Sequence, residues 1–353
     1  MQRATILGLM ALAACSDALN QDTTAGQVIA VAEAQPFAAS LVSAGRLVVS
    51  HAIPLPAAPT GSVSGRGSVL ILPMSGGVAV IDLAYSSSTV TRLVPLVPGG
   101  FGRGSAIQDH DDAIVWITYE MPSPSVPYPY TVWRVNYRSG DTASVGFKTN
   151  PKAVAFAAGR IFVVTVGAGD VSWLTVIDTT LTTGSPRISI VDSVPLTGLN
   201  AGGITLGGDG YLYVVSSGPL AGGGATEGRL SIVDPVSRLE LAVVNGLGDH
   251  LGPPVYHSSG RVLIPSVNGI LEVDPATRSV TRGPSKGIMP AGDHPSVLVV
   301  DQRGRVYALV DHCADPGQPP GAVHVLSPPP AYTLRRTIHV GSCPVGAAPA
   351  AVP

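Results

Sequence analysis

Residues 151–178, PKAVAFAAGRIFVVTVGAGDVSWLTVID, decide the fold. Three short β-rich runs are packed into this stretch. Residues 151–156 (PKAVAF) open on a proline, residues 160–164 (RIFVV) follow Gly159, and residues 174–178 (LTVID) close on an aspartate. Short runs of Val, Ile and Phe bounded by Gly, Pro and Asp read as strands separated by turns. A fourth β-rich run, 187–191 (RISIV), comes next. One four-stranded sheet cannot cover both of its own faces, so such a unit implies neighbours like itself.

The same phrase recurs along the chain. Openings in the manner of residues 159–163 (GRIFV) stand at 45–49 (GRLVV), 112–116 (DAIVW), 210–214 (GYLYV), 260–264 (GRVLI) and 304–308 (GRVYA). Answering strands stand at 78–82 (VAVID), 132–136 (VWRVN), 174–178 (LTVID), 230–234 (LSIVD), 270–274 (ILEVD) and 323–327 (VHVLS). The openings are 67, 47, 51, 50 and 44 residues apart. A four-stranded unit repeated at this period is a propeller blade, and radial packing buries both of its faces while ring closure protects its edges. The expectation is an all-β chain with a single β-propeller of six blades, each of four antiparallel strands, over residues 35–353. Seven blades is the alternative, with residues 66–72 (RGSVLIL) in the extra one. Residues 340–348 (VGSCPVGAA) look like an innermost strand, so the two chain ends are expected to share a blade.

On these residues the chain resembles the YVTN and NHL-like family of bacterial propellers. The likeness runs over residues 35–349 and implies fold more than function, since such propellers serve as binding scaffolds, surface proteins, lactonases and lyases.

The N-terminus speaks to address. Residues 4–14 (ATILGLMALAA) follow one arginine and end at Cys15. That run has the length of a signal-peptide core and is too short to span a bilayer. Residues 12–15 (LAAC) resemble the lipobox of bacterial lipoproteins, in which the cysteine is lipidated; an ordinary secretory signal is the alternative. Residues 1–14 are therefore expected to be a lipoprotein signal peptide, and residues 15–34 a lipidated Cys15 with a flexible tether. The protein would be membrane-anchored through its lipid alone, in the bacterial cell envelope, periplasmic or surface-exposed.

Composition narrows the function classes. Charged residues make up 12%, the formal net charge is −2, and Gly (42) and Pro (32) are abundant. Without a basic cluster, nucleic acid is not an expected partner. Only Lys148, Lys152 and Lys286 are lysines. Three cysteines occur, and with Cys15 lipidated, Cys313 and Cys343 form an even pair in an oxidising compartment. A disulfide between them is expected, with two free thiols as the alternative.

In a blade of this strand order, outer-to-inner links and second-to-third links lie on one face. The second-to-third links are expected at about residues 51–67, 120–130, 216–228 and 311–321. Long loops on one rigid face usually carry function. The candidate ligand face comprises His51, Tyr128, Tyr130, Asp249, His250, Asp293, His294 and His312. Tyr128 and Tyr130 lie in a proline-stiffened loop, 121–130 (MPSPSVPYPY). Asp249-His250 and Asp293-His294 occupy equivalent links, each with a glycine before it and a proline after. Imidazoles and carboxylates near a channel could hold a divalent metal that activates water, although Asp in such links also caps turns. No nucleophile elbow, P-loop, HExxH or dinucleotide fingerprint occurs. The leading expectation is a monomeric, non-catalytic binding scaffold for a protein, peptide or glycan, without a cofactor. The alternative is a metal-dependent hydrolase or lyase of the propeller lactonase type.

Overall fold

The second strand of the quoted repeat, Arg160–Val166, is buried at five consecutive positions. A strand with one wet face alternates buried and exposed residues, so five in a row require cover on both sides. Alternate side chains go to different neighbours. Ile161 and Val163 pack with Trp116 and Val132 of the preceding sheet. Phe162 and Val164 pack with Leu212 and Val214 of the following one. The outermost strand of the same sheet, Ser189–Leu199, returns to alternation along its second half because solvent covers one side.

The computed structural model describes residues 26–86, 89–108, 113–121, 129–179, 188–219, 227–313 and 319–353. Among them are seven four-stranded antiparallel sheets. Blades 2 to 7 span residues 64–95, 101–147, 150–199, 201–245, 255–282 and 297–339, each running from innermost to outermost strand. Blade 1 is shared. Its innermost strand is Pro344–Ala351, paired with Gln27–Ala34, and Phe37–Ser43 and Val48–Pro54 complete it. Between successive blades lie seven apolar clusters, and Trp116, Tyr119, Phe162, Tyr213 and Tyr307 are among the largest fully buried side chains. No helix among the described residues is long and apolar enough to cross a membrane.

Two sequence expectations are corrected here. The ring has seven blades, not six: the alternative holds, and residues 66–72 run in the extra blade as it placed them. Residues 45–49 (GRLVV) are not an inner hairpin: the Leu47 N–H donates to Ser43 O in the turn before the outermost strand. The Gly-Arg opening elsewhere is the turn from innermost to second strand, where Gly159 and Gly260 take φ of 71° and 80°. Blade 1 has no such turn, because its innermost strand arrives from the other end of the chain. The 67-residue step therefore hid blade 2, whose innermost strand, Ser64–Arg66, is only three residues long. The second correction follows from the first. Gln27–Ala34 is not tether but the second strand of blade 1, buried at its first seven positions, so the propeller begins at Gln27 instead of residue 35. Cys15 and residues 1–25 lie outside the described residues.

The recurring aspartate also finds its physical reason. It starts the turn from third to outermost strand, where its carboxylate accepts backbone N–H groups two residues on. Asp82 does so from Ala84, Asp234 from Val236 and Asp274 from Ala276, and Asn136 does the same for Arg138. These are Asx turns, which give the short turn its own hydrogen bonds.

Candidate functional site

Outer-to-inner and second-to-third links share the upper face, and the tight inner hairpins share the lower. The long second-to-third links belong to blades 3, 5 and 7, and residues 122–128, 220–226 and 314–318 within them lie outside the described residues, Tyr128 included. The expected long link at 51–67 is not one. His51 is exposed within the outermost strand Val48–Pro54, opposite Leu41 and away from the channel. The two glycine-free residues 35 and 36 make the corresponding link of blade 1.

Blades 5, 6 and 7 build a cleft of about 650 Å³ on the upper face. Asp249, His250, His294 and Asp311 all line it, together with Ser217 and Ser296. Equivalent links of adjacent blades thus bring the two Asp-His pairs' histidines to one place. The first link is held from below: the Gly228 N–H donates to Gly248 O, and the Leu251 N–H donates to Ser217 Oγ at 3.2 Å. His250 takes φ of 48°, an unusual backbone for a non-glycine residue, and its ring pairs with the Asp249 carboxylate. Its side chain is 72% exposed, so that pair is worth little to stability.

The second link differs. Asp293 accepts from His324 Nε2 at 2.8 Å, and His324 Nδ1 meets Thr337 Oγ1 at 3.0 Å. His324 is buried, so Asp293 anchors the link to blade 7 while the exposed His294 faces the cleft. His312 lines none of the upper-face cavities; its N–H donates to Ser342 O beside the Cys313–Cys343 disulfide. That disulfide, expected from cysteine number, ties the last second-to-third link to the segment leading into the closing strand. Among the described residues no group of three or more His, Cys, Asp or Glu is placed to hold a metal.

Below the rim, the innermost strands of six blades and residues 60–63, which lead into the innermost strand of blade 2, enclose a channel cavity of about 600 Å³. Its walls are mostly small or apolar, with Arg103, Lys152 and Asp311 as charged exceptions. Arg103 donates to Glu120 Oε2 from both Nε (3.2 Å) and Nη2 (3.0 Å). Burial lowers the Lys152 ammonium below the usual lysine range; Glu120 opposes that shift and Arg103 adds to it. A third cavity, of about 300 Å³, lies between blades 3 and 4 and is lined by Tyr130, Lys148, Asn150, Lys152 and Asn200. The three are contiguous: Ser296 and Asp311 line the first and second, Lys152 the second and third, Asn200 the first and third. Tyr130 therefore sits on the same rim as the histidines but in a different cavity.

Arg103, Lys148, Lys152 and Asn150 were not among the expected face. Their signal was position: each stands in or just before an innermost strand, close to an outer-to-inner link. The scarcity of lysine is what could have flagged the pair.

No family model matches the chain, and no curated protein matches it in sequence. Solved structures do match in shape. A functionally unknown protein from Desulfotomaculum acetoxidans superposes with a TM-score of 0.69 at 10% identity, over 92% of this chain and 99% of that one. A protein of unknown function from Bacteroides caccae gives 0.53 at 12% identity, over 92% and 98%. The dihydro-heme d1 dehydrogenase NirN, in complex with DHE, gives 0.53 at 15%, over 89% and 73%. At these identities the likeness shows the β-propeller fold and nothing finer.

Proposed function

We propose that this protein is a binding module of the bacterial cell envelope, exported as a lipoprotein with a YVTN/NHL-like repeat, that takes a peptide, protein or glycan ligand on its upper face. The observation that carries the proposal is the contiguity of three cavities around the channel mouth, built from links of blades 3 to 7. Concave sites with a few convergent polar groups on a rigid scaffold are the usual form of a ligand site. The address rests on residues 12–15 (LAAC), and the disulfide fits an oxidising compartment.

Two experiments test it. In a bacterial host, the full chain is expected to incorporate a clickable fatty acid and fractionate with membranes, while Cys15→Ser does neither; equal labelling of both would remove the lipoprotein assignment. For the site, the chain lacking residues 1–15 is screened against peptide and glycan arrays beside a His250→Ala/His294→Ala/Asp311→Ala variant. A ligand bound by the parent and lost in the variant supports the module. Ligands retained equally by both would move binding off this face.

A hydrolase or lyase is the second option, favoured by one fact: His250, His294, Asp249 and Asp311 line one cleft. Elemental analysis of the purified soluble chain decides it. One tightly held divalent metal per chain, with a melting temperature lowered by chelator, would put this option first.

A further inference from the structure

Gln27–Ala34, the second strand of blade 1, runs from the lower face to the upper. Its lower end is held among lower-face turns. Gln27 O accepts from the Ala44 N–H in the outer turn of blade 1, and Gln27 Oε1 accepts from the Gln302 N–H in the inner hairpin of blade 7. The strand paired with it, Pro344–Ala351, ends at the same level, where the Ala351 N–H donates to Gly67 O in the inner hairpin of blade 2. Gly26 comes before Gln27, and its carbonyl accepts from the Val352 N–H. The chain therefore enters the propeller through the lower face, on the side opposite the rim that carries His250 and His294.

Cys15 lies 11 residues before Gly26. At roughly 3.5 Å per residue, the segment between them reaches at most about 39 Å. To bring Cys15 to the upper face, that segment would have to pass the third and outermost strands of blade 1 and then climb the height of the blade. Two strand spacings are about 10 Å, and the strand Gln27–Ala34 rises about 26 Å. Those two legs use nearly the whole reach, before any clearance for the links that crown the upper ends of the strands. An acylated Cys15 with the upper face against the bilayer thus needs a taut segment, and holding a chain at full extension costs conformational entropy at nearly every residue. With the lower face toward the bilayer, every shorter conformation is open to it.

We infer that the lower face is the surface this protein turns to its membrane, and that the upper face looks away from the bilayer. The ligand is then reached from the aqueous side and is not a lipid of the same membrane. This rests on the lipoprotein reading and deepens the binding-module proposal by fixing where the partner stands. The tether sets the orientation; the lower face does not adhere by itself. Its turns mix arginines (Arg46, Arg138, Arg278) with aspartates (Asp82, Asp141, Asp274), and its most exposed apolar side chains, Tyr85 and Val236, sit on different blades. Adhesion to lipid needs a clustered basic or apolar surface, which such a mixture does not supply.

The test uses the full chain, purified from membranes and placed in phosphatidylcholine vesicles with an energy-transfer acceptor on a small share of the headgroups. A donor dye is attached to an added cysteine, Val236→Cys on the lower face or Ser285→Cys on the upper, with the native disulfide intact. Both positions are exposed, and both variants are expected to melt with the parent. Transfer from position 236 is expected to exceed that from position 285 at least about twofold, since about 26 Å of strand separates the two faces. Inserting about 30 Gly-Ser residues between Ala25 and Gly26 lifts the restraint and should bring the two transfers together. Array ligands of the soluble chain should bind the anchored chain with unchanged affinity.

Equal transfer from both positions in the parent, or more from position 285, overturns the orientation and leaves the lipoprotein and the module standing. So does a ligand lost on anchoring, which would put the ligand face against the bilayer. A difference that survives the insertion, or flotation of the chain lacking residues 1–15 with phosphatidylglycerol vesicles, overturns the tether as the cause. A full chain that does not stay with the vesicles fails earlier, at the lipoprotein assignment, and the orientation falls with it.

Discussion

Phe162 and His250 belong to regions that obey different rules. Phe162 is fully buried between blades 4 and 5, one of many apolar side chains whose neighbours are other blades. His250 stands on a link in a left-handed backbone conformation, with most of its side chain in water. The interior holds the ring together by burying area that any well-packed apolar residue could bury. The upper rim contributes little to that burial and carries the groups a ligand would meet. Residues in the two regions should therefore respond to substitution in opposite ways.

The largest effect is expected inside. Phe162→Ala leaves a cavity between blades 4 and 5 and should cost about 3–5 kcal/mol, read as a lower urea midpoint with ligand specificity unchanged. If that change left stability intact while altering binding, the division between interior and rim would be wrong.

Next comes the disulfide, which belongs to both regions. Cys313–Cys343 closes a span with a sequence separation of 30 and clamps a rim link to the strand that closes the ring. Replacing both cysteines by serine should cost about 3–4 kcal/mol on the loop-entropy account, seen in chemical unfolding of the variant against the parent. A cost near zero would mean that the strand pairing of Gln27–Ala34 with Pro344–Ala351 closes the ring unaided.

Glu33 puts a charge inside the interior and gives a pH signature. It is buried and one of its oxygens has no partner, and burial raises its pKa above 4.5 despite hydrogen bonds from Ser40 and the Gly341 backbone. The folded state therefore holds this proton more tightly than the unfolded chain does. Its contribution is fully present below about pH 4.5 and is lost as pH rises through the raised folded value. Melting temperature measured from pH 4 to 8 should fall less for Glu33→Gln than for the parent, and the variant should be the more stable at neutral pH. Parallel curves would mean that Glu33 is solvated in solution.

The smallest effect is expected on the rim. His250→Ala and His294→Ala should each change stability by no more than about 0.5 kcal/mol, because neither side chain is buried. Ligand binding should nevertheless weaken. A destabilisation as large as that of Phe162→Ala would make these residues structural.

The same contrast explains what could be read from residues alone. Blades 4 to 7 were legible because Gly159, Gly210, Gly260 and Gly304 mark a hairpin that needs positive φ, and because Asp234 and Asp274 mark the outer turn. Both signals are local. Blade 1 lacked the first signal, since no turn joins Ala351 to Gln27, and Gly45 imitated it in the wrong hairpin. On the rim, His250 and His294 could be grouped because they occupy equivalent links. His51 was misplaced with the blade it was counted in.

Local chemistry was thus enough to specify four-stranded blades, ring closure by the two chain ends, and the pairing of the two remaining cysteines. Turns and strand burial depend on neighbours within about fifty residues, and a repeat writes those neighbours into every period. The number of blades and the membership of the rim were left to the tertiary structure. Seven blades follow from how strands at opposite ends of the chain pair, Gln27 with Ala351 among them. Arg103 of blade 3 and Lys152 of blade 4 line one cavity only because adjacent blades converge on one channel. No spacing along the chain encodes that meeting; the radius of the closed ring does.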